Sequence, residues 1–395
     1  MRILILHDYG TLSGGAEMMV WRLREALRAR GHQALLFTST ARPLPLPIVS
    51  DASCFGTVSP LRRVLQATNP HAYRRLRDML RAFRPDVVHV KMFLTQLSPL
   101  VLPLLRSVPS LLHVINYNLI CPINTKTLPS GAPCRHRPGT VCHATGCMSW
   151  PGVARIAVQR HLIDLDVFDH IVANSQWVAD RLRAEGVRVD SWIHNGVPLQ
   201  QQRPPLRDPP VVGFAGRLVS KKGVDMLLRA MPALLRRLPA ARLLIAGDGP
   251  ERLRLESLAR ELGIREAVAF LGHLEQAELE RVLAPAWVQA VPSRWEEPFG
   301  LVAAEAMMRG TAVVASRAGG LAEQVIEGET GYLVTAGEPS ALVDALERIL
   351  RDRALAERLG AAGRRFAMVE LTEARHVERM LAIYEELTAD SRRRN

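Results

Sequence analysis

Along the chain, short apolar runs alternate with longer segments whose apolar positions recur every three or four residues. RILIL after the first Met, QALLF, DVVHV, SLLHVI and HIVAN are too short and too evenly apolar for amphipathic helices, and they read as buried strands. Between the first two, a Gly-rich turn leads into a helix from Ala16 to Arg30 that Gly31 stops. After Asn195-Gly196-Val197-Pro198 the polar, Pro-rich QQRPPLRDPP breaks the rhythm, which marks a linker and a domain boundary. A second series follows. VVGFAG, RLLIAG, AVAFLG, WVQAVP, TAVVAS and GYLV read as strands, with helices near Val224–Leu238, after Pro250 and around Ala303–Arg309. Strands alternating with helices of this length predict parallel sheets covered on both faces, hence an α/β chain. The expected division is residues 1–198, a linker at 199–210 and residues 211–369, with a C-terminal helix over 370–395 returning to the first domain. In open sheets of this kind ligands sit beyond the carboxyl ends of the strands, here the walls of the cleft that two such domains would form.

Composition narrows this picture. With 395 residues, 48% hydrophobic and 23% charged, the chain is globular and long enough for two cores, and disorder, collagen and coiled coil are excluded as its architecture. Met92 to Thr125, the longest weakly charged stretch, is interrupted by Pro99, Pro103, Arg106, Pro109, Asn116 and Asn118, so it offers no window of ~20 apolar residues. MRILILHDYG reads as a strand rather than a secretory signal, and five Cys without such a signal point to a reducing, cytoplasmic setting.

The net charge of +12 is uneven. Residues 1–200 hold 23 Lys+Arg against 12 Asp+Glu, and residues 201–395 hold 28 against 27. The densest part sets Arg62, Arg63, Arg74, Arg75, Arg77, Arg81 and Arg84 against Asp78 alone. Leu61, Val64 and Leu65, then Tyr73, Leu76, Leu80 and Phe83, recur at helical spacing and predict an apolar inner face under the arginines. That arrangement is either a solvated helix face or an anchor for anionic lipid, which would make the protein peripheral to the inner membrane surface. Nucleic acid is disfavoured, because no exposed aromatics interleave with the arginines.

Three features of the second half lie at strand ends. Gly216-Arg217 follows VVGFA, and Lys221-Lys222-Gly223 opens the next helix; two cations on one loop, beside glycines that admit a ligand to the backbone, can neutralise a diphosphate. Gly247-Asp248-Gly249-Pro250 follows RLLIA and is what any parallel α/β protein would carry there. In PSRWEEPFGLVAAEAMMRGTAVVAS, Glu297 precedes a turn shaped by Pro298 and Gly300, and Glu305 follows on the helix from Leu301 to Arg309. A helix N-terminus offers N–H groups to an anion, and two carboxylates accept hydrogen bonds from vicinal hydroxyls, so the segment describes a pocket for a nucleotide sugar.

These motifs resemble the nucleotide-sugar domain of retaining glycosyltransferases of family 4, the glycosyl transferases group 1. GRLVSKKGVDMLL, AGDGPE, FLGHL, EEPFGLVAAEAMMRGTAVVAS, AGGLAEQVIEGETGYLV and IHNGV run in the family's order from about residue 193 to residue 334. Ser13-Gly14-Gly15-Ala16-Glu17 resembles the acceptor domain more loosely. The resemblance implies the GT-B architecture, two Rossmann-like domains facing across a cleft, and transfer of a sugar to a glycan or glycolipid hydroxyl in cell-surface polysaccharide synthesis. It implies that Arg217 and Lys222 bind the diphosphate and stabilise the leaving group. Glu297 contacts the donor sugar, Glu305 holds the ribose, and the backbone from Phe299 through Gly300 to Leu301 meets sugar and phosphate. Gly216, Gly247 and Leu271 complete the donor site, and Gly14 and Gly15 approach the phosphates from the first domain. No metal or other cofactor is needed in that scheme.

The chain departs from the family where a His-Asp usually follows the strand that reads LLHVI: Ile115-Asn116 stands there. His113, two residues earlier on one face of the strand, is the expected catalytic substitute, with a packed strand histidine as the alternative. Cys121, Cys134, Cys142 and Cys147 share one Pro- and Gly-rich loop; they are the thiols for a tetrahedral zinc clip, although their spacing is wider than in zinc knuckles, and the alternative is an acceptor-specificity loop with incidental thiols. Among other functions, a sugar-nucleotide epimerase would not need the paired glutamates, and a nicotinamide dehydrogenase lacks its G-x-G-x-x-G turn. A non-catalytic nucleotide-sugar binder is kept open by Ile115-Asn116.

Overall fold

The structure is a computed structural model, which describes residues 1–394. It divides into two compact units, Met1–Gly196 with the chain from Glu373 onward, and Val197–Thr372. The first holds a seven-stranded parallel sheet: β1 (Arg2–Tyr9), β2 (Gln33–Ser39), β3 (Ala52–Cys54), β4 (Val87–Val90), β5 (Ser110–Val114), β6 (His170–Ala173) and β7 (Ser191–Trp192), in the order β3-β2-β1-β4-β5-β6-β7. The second holds six: β8 (Val211–Ala215), β9 (Arg242–Ala246), β10 (Val268–Gly272), β11 (Val288–Val291), β12 (Ala312–Ser316) and β13 (Gly331–Val334), in the order β10-β9-β8-β11-β12-β13.

All eleven runs read as strands are strands. The two that hydrophobic patterning does not reveal, β3 and β7, are edge strands of three and two residues, too short to carry a period. In the first unit Ile3, Ile5, Val87 and Leu111 face the helices Gly15–Ala29 and Glu373–Arg394, which contribute Val20, Leu23 and Leu27, and Val377, Met380 and Tyr384. The second core closes around Val212, Phe214, Leu243 and Ile245 with Leu227, Met231, Leu234 and Leu346.

Two expectations change. The Pro-rich segment 199–210 is packed along the second unit rather than spanning between domains: Leu206 is buried, and the buried Arg203 pairs with Glu357 at 2.8 Å and donates to the Gly310 carbonyl at 2.9 Å. Among the arginine-rich helices, Pro70–Phe83 has the expected inner face, with Ala72 and Leu76 buried, but the helix Arg62–Ala67 buries none of its residues. Leu61 and Val64 are instead exposed, because a six-residue helix is too short to lay a stripe into a core.

Candidate functional site

In the second sheet the strand order reverses between β8 and β11, so the connections leaving these neighbours run in opposite directions and open a crevice at their carboxyl ends. The loops that bound it carry the charged residues singled out above. After β8 come the exposed Arg217 and the half-buried Lys221 and Lys222. Gly223 then turns into the helix Val224–Arg237 with φ +69°; a Cβ there would lie 2.0 Å from the Pro292 carbonyl, so only glycine lets this loop press against the end of β11.

Glu297, 4% exposed, is the hinge of the arrangement. Its Oε1 accepts from Lys222 Nζ at 2.5 Å and from Ser293 Oγ at 2.6 Å. Burial pushes its carboxyl up, but the Lys222 ammonium and these hydrogen bonds outweigh burial and hold it below the usual carboxylate range. Its backbone is clamped as well: the Gly320 N–H donates to the Glu297 carbonyl at 2.7 Å, and a Cβ on Gly319, where φ is +66°, would meet that oxygen at 2.1 Å. Lys221 sits over the Trp295 ring, 3.7 Å from its centroid. Burial and the neighbouring Lys222 lower its pKa, with Glu297 acting against them and Arg217 with them.

The charge balance decides what this crevice can hold. Arg294 is neutralised by Asp225 at 2.7 Å. Glu297 pairs with Lys222 and acts on Lys221, whose other charged neighbours are Lys222 and Arg217, and the Arg217 guanidinium makes no hydrogen bond or ion pair among the described residues. Beside them the helix Leu301–Arg309 begins at Gly300, φ +95°, with no side-chain cap on its first N–H groups. An uncapped helix N-terminus beside surplus cations is a site for a multiply charged anion, with backbone donors to orient it. Phe299 is buried, its carbonyl held by Gln324 Nε2; Leu301 and Glu305 are half-buried on the helix beyond.

The remaining expected donor residues of this unit line the neighbouring strand ends. Gly247 closes β9 with φ +139°, and a Cβ there would lie 1.9 Å from the Gly216 carbonyl, so these two turns stack. Leu271 ends β10 beside Gly272, whose carbonyl accepts from the Gly247 N–H at 2.7 Å. The structure thus gathers Gly216, Arg217, Lys222, Gly247, Leu271, Glu297, Phe299, Gly300, Leu301 and Glu305 along the carboxyl edge of one sheet. Gly14 and Gly15 belong to the first unit, exposed after β1 at the N-terminus of the helix Gly15–Ala29.

His113 requires a correction. It is fully buried on β5, stacked between His89 at 5.4 Å and His376 at 5.6 Å, and neither ring nitrogen has a hydrogen-bond partner. Alternation along β5 points Leu111 and His113 to the face covered by the C-terminal helix, so the ring is sealed from any substrate. Burial drives its pKa well down, and it stays a neutral packed imidazole. The four loop cysteines do converge: Cys121, Cys134, Cys142 and Cys147 line one cavity with Lys126 and His136. Among the described residues, no group of three His, Cys, Asp or Glu side chains is placed to hold one metal ion. Ser293 and the Lys221–Trp295 contact were missed in the sequence; both lie inside quoted motifs, but nothing in spacing separates a serine that orients a carboxylate from one that faces solvent.

Comparison with known proteins bears on this geometry. Residues 14–196 match the glycosyl transferase 4-like domain and residues 198–366 the glycosyl transferases group 1. A GDP-mannose-dependent alpha-(1-6)-phosphatidylinositol monomannoside mannosyltransferase of Mycolicibacterium smegmatis is 40% identical over 174 residues, which is 42% of this chain and 46% of that protein, so the chain matches about half the length of this relative. A glycogen synthase of Mycobacterium tuberculosis is 27% identical over 92% of this chain and 89% of its own. Among solved structures, a sucrose-phosphate synthase from Thermosynechococcus elongatus superposes with a TM-score of 0.76 at 26% identity, covering 99% of this chain and 100% of the other.

Proposed function

The chain belongs to the glycosyl transferases group 1, enzymes of GT-B architecture, and from that premise we propose that it moves a sugar from a nucleotide-sugar donor to a hydroxyl of a glycan or glycolipid, with retention at the anomeric carbon. The observation that carries the donor half is the surplus of cations over carboxylates at the reversal of the second sheet, beside an uncapped helix N-terminus.

The chemistry follows from where charge develops. As the glycosidic C–O bond breaks, negative charge grows on the diphosphate, and cations placed there, with the half-buried Lys222 already oriented by Glu297, stabilise it with little reorganisation. Lys222 has one proton engaged by Glu297 and two more to offer to phosphate oxygens. Arg217, exposed and without a partner among the described residues, closes on the phosphate from the solvent side. The Glu297 carboxylate, already held by Lys222, Ser293 and Trp295, is oriented to accept from a sugar hydroxyl, and Glu305 takes the ribose. The anomeric carbon becomes oxocarbenium-like, as in glycoside hydrolysis.

A second observation bears on the acceptor's location. Exposed Leu61 and Val64 flank Arg62 and Arg63 on a helix that packs against Trp150–Leu162, whose Arg155 feels the repulsion of both arginines. An apolar tip ringed by unpaired cations suits an anionic bilayer surface, where a glycolipid acceptor would be met. No helix among the described residues is long and apolar enough to cross a membrane.

The test is a panel of nucleotide sugars with glycan and glycolipid acceptors, reading nucleoside diphosphate release and the anomeric coupling constant of the product. Release in proportion to a retained product is expected. Epimerised donor, inverted product, or binding without release would each overturn the proposal.

A further inference from the structure

The loop after β8 carries two consecutive lysines, and the crevice gives them different partners. Lys222 Nζ pairs with the Glu297 carboxylate at 2.5 Å. The Lys221 ammonium makes no hydrogen bond or ion pair among the described residues. It lies over the Trp295 ring, 3.7 Å from the centroid, and Lys222 is 6.0 Å from the same centroid. Lys221 is half-buried, and its Nζ, though without a hydrogen-bond partner, is not sealed from solvent.

The two kinds of partner act differently on a cation. A carboxylate in contact offsets the charge of the ammonium it holds, and an incoming anion must compete with it. An aromatic face attracts the ammonium through its quadrupole but carries no net charge, so the cation is held in place with its charge still available. Lys222 is held in the first way and Lys221 in the second. Trp295 is itself fixed: it is 8% exposed, and its side chain donates a hydrogen bond to the Glu297 carboxylate. One indole therefore places Lys221 on its face while its edge steadies the carboxylate that orients Lys222.

The charged groups acting on Lys221 are Lys222, Glu297 and Arg217. With Glu297 paired to Lys222, Lys221 and Arg217 remain as two uncompensated cations, which matches the two negative charges of a diphosphate esterified at both ends. Burial and its cationic neighbours lower the Lys221 pKa, and an anion in the crevice would oppose them. Resting on the reading of this crevice as the donor site, we propose that Lys221 is a third diphosphate-binding cation and that Trp295 is its positioning residue, holding the ammonium in place without neutralising it.

The chain carries only four lysines, at 91, 126, 221 and 222, so the full chain ¹³C-labelled at lysine Cε gives four signals, Lys221 being assigned by its loss in Lys221→Gln. Ring current should shift the Lys221 Hε protons upfield. Trp295→Met, which fills much of the ring's space without a π face, should abolish that shift, and Trp295→Phe should keep it. At constant ionic strength, inorganic pyrophosphate is expected to move the Lys221 signal saturably and to raise its titration midpoint, since an anion favours the charged amine. Lys221→Gln should weaken pyrophosphate binding about 10-fold or more. Trp295→Met should bind pyrophosphate about 3- to 10-fold more weakly than Trp295→Phe, and the two should match once each is combined with Lys221→Gln. Both Trp295 variants lack the indole N–H, so their difference reads the ring face alone, and a role for Trp295 in packing only would leave that difference in the double variants. Lys221→Gln and the upfield shift in the unsubstituted chain test cation and ring without relying on the folding of Trp295→Met. No upfield shift, a Lys221 signal unmoved by pyrophosphate, unchanged affinity in Lys221→Gln, or a difference between the Trp295 variants that persists without Lys221 would overturn the assignment. The nucleotide-sugar panel separates this from the functional proposal. Donor turnover with unchanged KM and kcat in Lys221→Gln sinks the assignment and leaves the proposed function standing, whereas pyrophosphate bound through Lys221 with no nucleotide sugar turned over does the reverse.

Discussion

The two sheets reverse their strand order at equivalent places, β1 with β4 and β8 with β11, yet the chemistry at the two reversals differs. In the second unit Lys222 pairs with Glu297, Arg294 with Asp225 and the buried Arg309 with Glu280 at 2.7 Å. In the first, Lys91 stands among His7, His89, His113 and His376, which burial holds neutral. One site is a set of ion pairs already assembled, with cations to spare; the other is a cation and a stack of imidazoles whose charge burial suppresses. The same topology therefore carries cations held by carboxylates in one unit, and in the other a buried lysine whose Nζ has no hydrogen-bond partner among the described residues.

The largest expected effect lies on the paired side. Arg217→Ala and Lys222→Ala should each lower kcat at saturating donor by on the order of 10²-fold or more. They should differ in stability. Arg217 is exposed and has no ion pair among the described residues, so its loss leaves Tm unchanged, whereas Lys222→Ala leaves the Glu297 carboxylate buried without its cation and lowers Tm. Equal Tm in both variants would mean that the pair does not organise the crevice.

Next in size is the division of one ligand between two carboxylates. Glu305→Gln should weaken nucleoside diphosphate and nucleotide sugar alike, and Glu297→Gln the nucleotide sugar and its turnover, by about 10- to 100-fold in affinity for each charge-assisted hydrogen bond lost. Calorimetry with both ligands checks this, and equal loss of diphosphate affinity in the two variants would contradict it.

Acid should separate the units. Burial lowers His376 to about 3 and His7 to about 4, while the unfolded chain takes up those protons near 6.5. The unfolded state thus binds more protons between these values, and stability of the first unit is lost as pH falls below 6.5. Glu297, held below its ordinary value, keeps its contribution above about 4.5 and loses it only as pH falls through its lowered folded value. Hydrogen exchange read by mass spectrometry at pH 7, 6 and 5 should show protection falling first in β1, β4, β5 and the helix from Glu373. Uniform loss across both units would remove the electrostatic distinction between them.

The smallest effect expected concerns the surface. Binding to liposomes of anionic lipid should weaken several-fold with added salt and in Arg62→Glu with Arg63→Glu, and Leu61→Ser should weaken it at constant charge. Arg74→Glu with Arg75→Glu should matter less, because that helix turns its apolar residues inward and offers charge alone. Salt-independent binding would point to a solvated face instead.

How far the sequence carries depends on the range of the interactions concerned. Runs such as VVGFA and AVVAS are buried on both sides of a parallel sheet and announce themselves in a few consecutive residues. The glycines at 223, 300 and 319 sit where positive φ is required, inside motifs legible as turns. Arg217, Lys222, Glu297 and Glu305 could be named because they stand in those motifs. The placement of Leu61 and Val64 could not, since helical spacing says which residues share a face but not whether a core lies opposite it.

His113 and Lys91 show the limit most clearly. Alternation along DVVHVK and SLLHV determined that His89 and Lys91 share one face of their strand, as Leu111 and His113 share one of theirs. Whether that face meets solvent, substrate or another helix was decided by the segment from Glu373, nearly three hundred residues downstream of Lys91, which returns to the first sheet and seals His113 beneath His376 and Tyr384. A strand's own residues set the direction of its side chains because the backbone period is local. The electrostatic fate of those side chains depends on what covers them, and that is a long-range contact no local pattern encodes.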